Sequence, residues 1–478
     1  MKTQCSGEKM KFQGVGSREV VAQFDGGTIS TEGGSLLFRQ IEKKYGLILK
    51  FAECFTDHRD PDKTEHTVQQ LLAQRVVGLC QGYEDLNDHD ELRTDPLLAT
   101  VVGKEDPTGE NRARERDKGK PLAGKSTLNR LELSGREMDQ EERYKKITAN
   151  WDQIREFFIE AFLKTSQQEG EWIVLDLDGS DDPLHGDQLG KFFHGYYRHY
   201  CYYPLFIFCG RQLLTARLRR SNIGDTEGAL DELELIVPRI REQWPDRKIL
   251  LRGDSGFSTD QLMSWCERRD VFYLFGQARN SRLEEKVSQQ MRDAEAAYEE
   301  TGLPTRFFTE FSYQTRTSWS RSRRVVAKAE YLPDGPNRRF VVTNIPASRM
   351  DPEEVYQETY CQRGESENRI KEHQTQLFST RTSTHWMDSN QMRLWLSSLA
   401  YTMMNLLRER GLKGTELERA YPATIRERLL RLAAQVKVSV RRVAISLTSS
   451  YPFQGMFRKV YRQICQLEPI SRPRPAPA

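Results

Sequence analysis

No run of eighteen apolar residues occurs in this 478-residue chain, so no bilayer-spanning helix is expected. The N-terminus, MKTQCSGEKMKF, has basic residues but lacks the apolar stretch that a secretory signal needs after them. The eight cysteines, at 5, 54, 80, 201, 209, 266, 361 and 465, form no CxxC pair and have no histidine at zinc-finger spacing, so they are read as buried or idle thiols. Net charge is also scarce, at +3, but it is unevenly spread: from Tyr401 onward, 15 Lys and Arg face 5 Asp and Glu. A basic end attracts polyanions by releasing their condensed counterions, which makes nucleic acid the first partner to consider. What is plentiful is apolar content, 37 %, ample for a core. The length suits about two to four domains of a soluble intracellular protein.

Helical patterns alternate with charged loops over the first 165 or so residues: GSLLFRQIEKKYGL, HTVQQLLAQRVVGLCQGY, and an amphipathic run from Met138 to Lys164. An all-α N-terminal region is expected there. The pattern changes at Glu171, where WIVLDLD is a short β-forming run that ends in acids. PLFIFCG and RQLLTARLR read as two strands parted by a turn, followed by a helix from Asp225 to about Glu242, the strand RKILLRGD, the helix TDQLMSWCERR and the strand VFYLFGQ. Three strands, helix, strand, helix, strand is the order of a ribonuclease-H-like α/β core. The segment from Ser281 to about Asn344 begins helical and turns strand-rich, as an insertion would, and Pro352–Thr375 and Asn390–Arg410 read as long helices. The SRPRPAPA end reads as a disordered tail.

Two acids stand at the C-terminal ends of predicted strands, Asp178 in VLDLDGS and Asp254 in LLRGDSGF, where α/β sheets place their ligands. A third, Glu367, lies in YCQRGESENRIKEHQ, where Tyr360, Arg363, Glu367 and Lys371 step by three or four and share one helix face. Three carboxylates brought together repel unless cations neutralise them, and oxygen ligands select hard ions such as Mg²⁺, with Mn²⁺ as a substitute. Two ions are expected, one to activate a water or 3′-hydroxyl and one to stabilise the leaving oxygen of a phosphodiester. Arg363 and Tyr360 are placed to hold the DNA phosphate. Each acid alone has a plain alternative, a turn aspartate or a solvated glutamate. Their joint placement carries the argument.

In these residues the chain resembles the DDE transposases of bacterial insertion sequences, whose helix motif reads Tyr, two residues, Arg, three residues, Glu, six residues, Lys. Tyr360, Arg363 and Glu367 match it, while Gln374 holds the lysine position, so the basic role is lost or passes to Lys371. The chain is similar to insertion-sequence family 1380 through LDLDGSDDPLHG, YYPLFIF, RGDSGF, GYEDLNDHDELRTDP and STLNRLE. The resemblance implies cut-and-paste movement: metal-dependent cleavage at terminal inverted repeats, then strand transfer into target DNA by a dimer or larger assembly. It also implies a bacterial cytoplasmic, nucleoid-associated protein with no membrane partner. It divides the chain into a helical DNA-binding region (1–168), a ribonuclease-H-like core in two parts (169–280 and 350–410) interrupted by a β-rich insertion (281–349), and a basic helical C-terminal region and tail (411–478). An aromatic of the inserted sheet holds a flipped base in related enzymes, which makes Trp319 a candidate beside its reading as a plain strand residue. Asp176 competes with Asp178 for the first acid; the two are expected on opposite faces of the strand, so that only one meets the ions. Asp178 is preferred because Asp178, Gly179, Ser180 fit the family's Asp, any residue, Thr or Ser.

Gly119 through Ser126, GKPLAGKS, has literal phosphate-loop spacing, but the charged ENRARERDK before it cannot be the buried strand that such a loop requires. His185, His194 and His199 cluster near the first acid and read as polar lining or DNA contacts. Two rival functions share the same features: a metal-dependent nuclease that does not join ends, and a catalytically dead end-binding protein.

Overall fold

The computed structural model describes residues 9–136 and 145–469. These fall into two compact units, the described residues of Met1–Leu131, Met138–Thr148 and Leu406–Ala478, and those of Glu132–Glu137 and Ala149–Asn405. The SRPRPAPA tail lies outside the described residues. No helix among the described residues is long and apolar enough to cross a membrane.

The second unit is mixed α/β and is built on an eight-stranded sheet. Its strands are β1 (Trp172–Gly179), β2 (Leu205–Cys209), β3 (Gln212–Arg217), β4 (Lys248–Gly253), β5 (Phe272–Gln277), β6 (Thr305–Tyr313), β7 (Arg323–Leu332) and β8 (Gly335–Thr343). Their order across the sheet is β3-β2-β1-β4-β5-β8-β7-β6. β1, β4 and β5 are parallel, and all other neighbours are antiparallel. The strand-rich segment after residue 281 therefore extends this sheet through β8, with Phe275 opposite Val342, rather than forming a sheet of its own.

Both faces of the sheet are covered, which is why its inner strands read as almost unbroken apolar runs; LFIFC is buried throughout. On one face Ile173, Leu175 and Leu177 of β1 pack with Leu251 and with residues of the helices α1 (Trp151–Thr165), α2 (Ala229–Gln243) and α3 (Asp260–Arg268). The helix α4 (Ser288–Thr301) lies against β6 and β7. On the other face Leu250, Leu274 and Val341 pack with Val355 and Tyr356. There too Phe206 meets the ring of His373, on α5 (Gly364–Gln376), and Phe208 meets Tyr401, on α6 (Met387–Leu406).

The first unit carries the expected helices at Leu36–Tyr45 and Val68–Gln81. Thr67 caps the latter, accepting from the Gln70 amide at 3.2 Å while Gln70 reaches back to the Thr67 amide. Arg426, only 7 % exposed, donates to the Cys80 carbonyl at 2.7 Å at the other end of that helix, so this cation of the basic region serves packing and not solvent.

Neither terminal region is purely helical, which corrects the expectation. Met10–Val15 and Arg18–Ala22 form a hairpin about Gly16, whose φ of 62° suits a tight turn that other residues resist. Ala434–Ser439 and Arg442–Leu447 form a second, in a stretch of alternating Val and Ile. Of the helix expected over 138–164, the described residues hold Trp151–Thr165, which begins where Asn150, after the strand Ile147–Ala149, accepts from the Gln153 amide at 3.1 Å. The first part of the expected run, 138–144, lies outside the described residues. Before GKPLAGKS stands a short turn of helix, Glu115–Asp117, and no strand, as the charge of that segment requires.

Candidate active site

Strand alternation and parallel register bring the first two acids to one edge. In β1, Ile173, Leu175 and Leu177 enter one core, so Trp172, Val174, Asp176 and Asp178 share the opposite face. Arg252 of β4 lies directly across from Asp176, and two residues on from this pair in each strand stand Asp178 and Asp254. Both acids sit at the carboxyl ends of parallel neighbours. Asp254 also caps the short turn Ser255–Phe257, accepting from the Gly256 amide at 2.9 Å.

The expected placement of Asp176 and Asp178 on opposite faces is wrong, since residues two apart on a strand point the same way. What separates them is their partner. Asp176, 1 % exposed, is held by both nitrogens of the Arg252 fork, at 2.5 and 2.9 Å, and Arg252 spends its remaining head on the Thr359 carbonyl. Asp178 lies at the strand's end beneath a helical segment over 354–376 that is widened at Glu354–Tyr360, tightened at Cys361–Arg363 and regular from Gly364. Such irregular turns recur at functional sites, and this one carries the residues in question.

Arg363 stands between the acids. One guanidinium nitrogen donates to Asp178 Oδ2 at 3.2 Å and another to Glu367 Oε1 at 2.7 Å. The Ser366 hydroxyl lies 3.3 Å from Asp178 Oδ2 and 2.8 Å from the Arg363 carbonyl. Burial lifts the Asp178 carboxyl to about 7; Arg363 opposes the rise, and the charges of Asp254 and Glu367 add to it. Asp254 is raised as well, by burial first, with its Gly256 hydrogen bond opposing and Asp225 adding. Arg363 is held above its ordinary range because the surrounding Asp178, Tyr360, Glu367 and Asp254 outweigh the cost of its burial. Asp178, Asp254 and Glu367 thus sense one another across a single guanidinium.

The remaining expected residues divide. Tyr360 is half-buried, its hydroxyl over Gly276 beside the Asp254 backbone, where any side chain on Gly276 would meet it. Lys371 is exposed. Gln374, at the position of the family lysine, donates to Ser180 Oγ at 3.1 Å and to the Asp181 carbonyl at 2.9 Å, pinning the loop after Asp178. The Trp319 indole is 5 % exposed, edge-on to Tyr313 with Arg323 over it. It lies in the connection between β6 and β7 and not in a strand. His199 pairs with Asp181 at 2.8 Å, His194 packs on Tyr197 and Tyr203, and His185 is exposed.

Sequence reasoning missed Ser366, Gln374 as a tether, and the pair Tyr203 and Asp225. Only the Gly-Asp turn at 224–225 offers a signal, and it reads as an ordinary loop.

The donor set is all oxygen, as a hard divalent ion prefers: Asp178 and Glu367 share one guanidinium, and the charge of Asp254 acts on Asp178 besides. Among the described residues no three His, Cys, Asp or Glu stand close enough together to hold a metal ion; Asp178 and Glu367 are bridged instead by the Arg363 head.

A family model described as transposase DDE domain group 1 matches residues 12–469. No curated protein matches the chain. Among solved structures, the chain is similar to a piggyBac transposase in a cryo-EM synaptic complex with hairpin DNA. That likeness has 10% identity, 92% coverage of this chain, 86% of that one, and a TM-score of 0.39. A likeness this weak transfers neither site nor activity.

Proposed function

The chain belongs to the transposase DDE domain group 1 family and is a DNA transposase; from that premise we propose that Asp178, Asp254 and Glu367 are the carboxylates that hold its divalent ions. The observation that carries the proposal is Arg363, whose one cationic head bridges Asp178 and Glu367 while Asp254 acts on the same Asp178.

Family members use divalent metal ions, and the all-oxygen set points to two Mg²⁺, with Mn²⁺ able to substitute. Bound there, the ions supply Lewis acidity for activating water or a 3′-hydroxyl and for stabilising the leaving oxygen. The protein's own share is orientation and charge. Gln374 and Ser366 fix the surroundings of Asp178, and Arg363, with Tyr360 beside it, would be the group to hold a DNA phosphate at this site. Lys371, exposed one turn beyond Glu367, is suited to a backbone phosphate further along the duplex.

The strand order β3-β2-β1-β4-β5, with only β2 reversed, supports a ribonuclease-H-like core, and β6 to β8 support the reading of 281–349 as an insertion into it. The N-terminal region 1–168, with its helices and hairpin, and the basic region 411–478 are assigned to terminal-repeat and target DNA. Exposed Arg441, Arg442, Arg458 and Arg462 are available for phosphates there. Bringing two element ends together calls for a dimer or larger assembly on DNA. A cytoplasmic, nucleoid-associated place follows from the substrate.

The test is Mg²⁺-dependent cleavage of the element's terminal DNA by wild type and by Asp178→Ala, Asp254→Ala and Glu367→Ala, scoring joined products as well as cuts. Each variant is expected to bind the end but neither cut nor join it. Cutting without joining by the wild type would turn the reading to a nuclease, and end binding without metal-dependent cutting would turn it to a dead binder.

A further inference from the structure

Between the two aspartate-bearing turns lies a polar pair that the carboxylate chemistry does not use. Tyr203 follows the short strand His199–Tyr202, and its phenol covers Gly179, the residue after Asp178. A Cβ on Gly179 would stand 2.5 Å from the Tyr203 hydroxyl oxygen. That hydroxyl donates to Asp225 Oδ1 at 2.5 Å. The other Asp225 oxygen, Oδ2, lies against Gly256, where a Cβ would collide with it, and the Gly256 amide is the donor that holds Asp254. The order in space is therefore Asp178–Gly179, Tyr203, Asp225, Gly256–Asp254.

The pair is itself clamped. Arg219, 4 % exposed, donates through Nε to the Tyr203 carbonyl at 2.9 Å and through Nη1 to the Asp225 and Glu227 carbonyls at 2.7 and 2.8 Å. The Tyr203 amide returns a bond to the Arg219 carbonyl at 2.9 Å, and the guanidinium lies 5.0 Å from the ring centre. A buried phenol and a half-buried carboxylate lose hydration, and a short charge-assisted bond offsets that loss only if both partners are held in place. Two glycines without side chains admit the pair at the two points where it touches the acidic turns.

We propose that Tyr203 and Asp225 are positioning residues, a strut that sets the separation of the Asp178 and Asp254 turns. The proposal rests on those two aspartates being metal ligands. Misplacing reacting groups by about 1 Å costs on the order of a hundredfold in rate, so the strut has a measurable effect although it touches no substrate.

The test uses full-length protein with three readouts: cleavage of end DNA at saturating Mn²⁺, the Mn²⁺ concentration at the midpoint of thermal stabilisation without DNA, and end binding in chelator. Tyr203→Phe keeps the ring and loses the donor. It is expected to slow cleavage by about ten- to a hundredfold and to raise the Mn²⁺ midpoint several-fold, with end binding unchanged. Asp225→Ala should match it. Asp225→Asn keeps an acceptor oxygen and should stay within about threefold of wild type, and Tyr203→Phe with Asp225→Asn should be no worse than Tyr203→Phe alone. Wild-type behaviour of Tyr203→Phe in cleavage and Mn²⁺ midpoint overturns the strut, as does an Asp225→Asn as damaged as Asp225→Ala, which would make Asp225 a charged ligand. If Asp178→Ala still cuts, the reading of the acids falls and the strut with it; if Asp178→Ala is dead while Tyr203→Phe cuts normally, the strut alone falls.

Discussion

Asp176 and Asp178 stand two residues apart on the same face of β1, both buried and both facing an arginine, and they have opposite electrostatic situations. Around Asp176 the count is balanced: one carboxylate meets one guanidinium, and the leftover Arg252 donor finds the Thr359 carbonyl. Around Asp178 it is not, because Arg363 is shared with Glu367 while Asp254 presses from the neighbouring strand. A satisfied buried ion pair is a structural element, whereas an excess of carboxylates over cations has a use only if a further cation arrives. The comparison separates a fold-holding acid from a chemistry-bearing one without reference to any relative.

The sharpest way to break the comparison is to exchange the two roles. Removing a metal ligand forfeits several kcal/mol of transition-state stabilisation, so Asp178→Ala is expected to lose about a thousandfold or more in cleavage. Folded Asp176→Ala should still cut. If Asp176→Ala abolishes cutting while Asp178→Ala retains it, the assignment is reversed.

Stability should show the converse. Asp176→Ala leaves Arg252 buried and uncompensated, at about 3–5 kcal/mol, read as a lower midpoint in urea. Replacing both partners, Asp176→Leu with Arg252→Met, should recover most of that loss. A double variant no better than the single one would mean that Arg252 matters mainly through Thr359.

A smaller effect concerns pH in the absence of divalent ions. The folded Asp178 carboxyl sits at about 7 against an ordinary 3.8, so between these values the native state holds a proton that the unfolded chain has released. That contribution to stability is present in full below the ordinary value and is lost as pH rises toward 7. The Tm of the metal-free protein should fall over this window, and Asp178→Asn should flatten the fall. An unchanged slope in Asp178→Asn would assign it to another group.

The smallest effects should come from the departure at the lysine position. Gln374→Lys exchanges two neutral hydrogen bonds, each about 0.5–1.5 kcal/mol, for a charge, and should change cleavage by less than about tenfold. Lys371→Ala should leave cleavage intact and lower the salt dependence of end binding by about one unit of slope. A large loss of cutting in Lys371→Ala would show that the family's basic role has moved to it.

Much of this was legible before any coordinates. Short apolar, β-forming runs with acids at their ends located β1 and β4, and three- and four-residue steps placed Tyr360, Arg363 and Glu367 on one helical segment. The terminal hairpins escaped because their strands are short, the first almost wholly exposed and the second only partly covered, so no buried face marks their alternation. The burial of Trp319 was hidden for a related reason: a tryptophan among Ser, Arg and Thr looks exposed, yet its ring reaches into the core beside Tyr313.

The sequence by itself determined the elements and the acids that end them, because backbone periodicity and strand termini depend on near neighbours. Tertiary structure alone decided which acid is neutralised and which is left in excess. Those pairings join residues 76 apart in the chain for Asp176 with Arg252 and 185 apart for Asp178 with Arg363. They are set by strand register and by a helical segment laid across the sheet. The same holds for Tyr203 and Asp225, whose meeting requires two glycines from different strand ends to face one another across the gap.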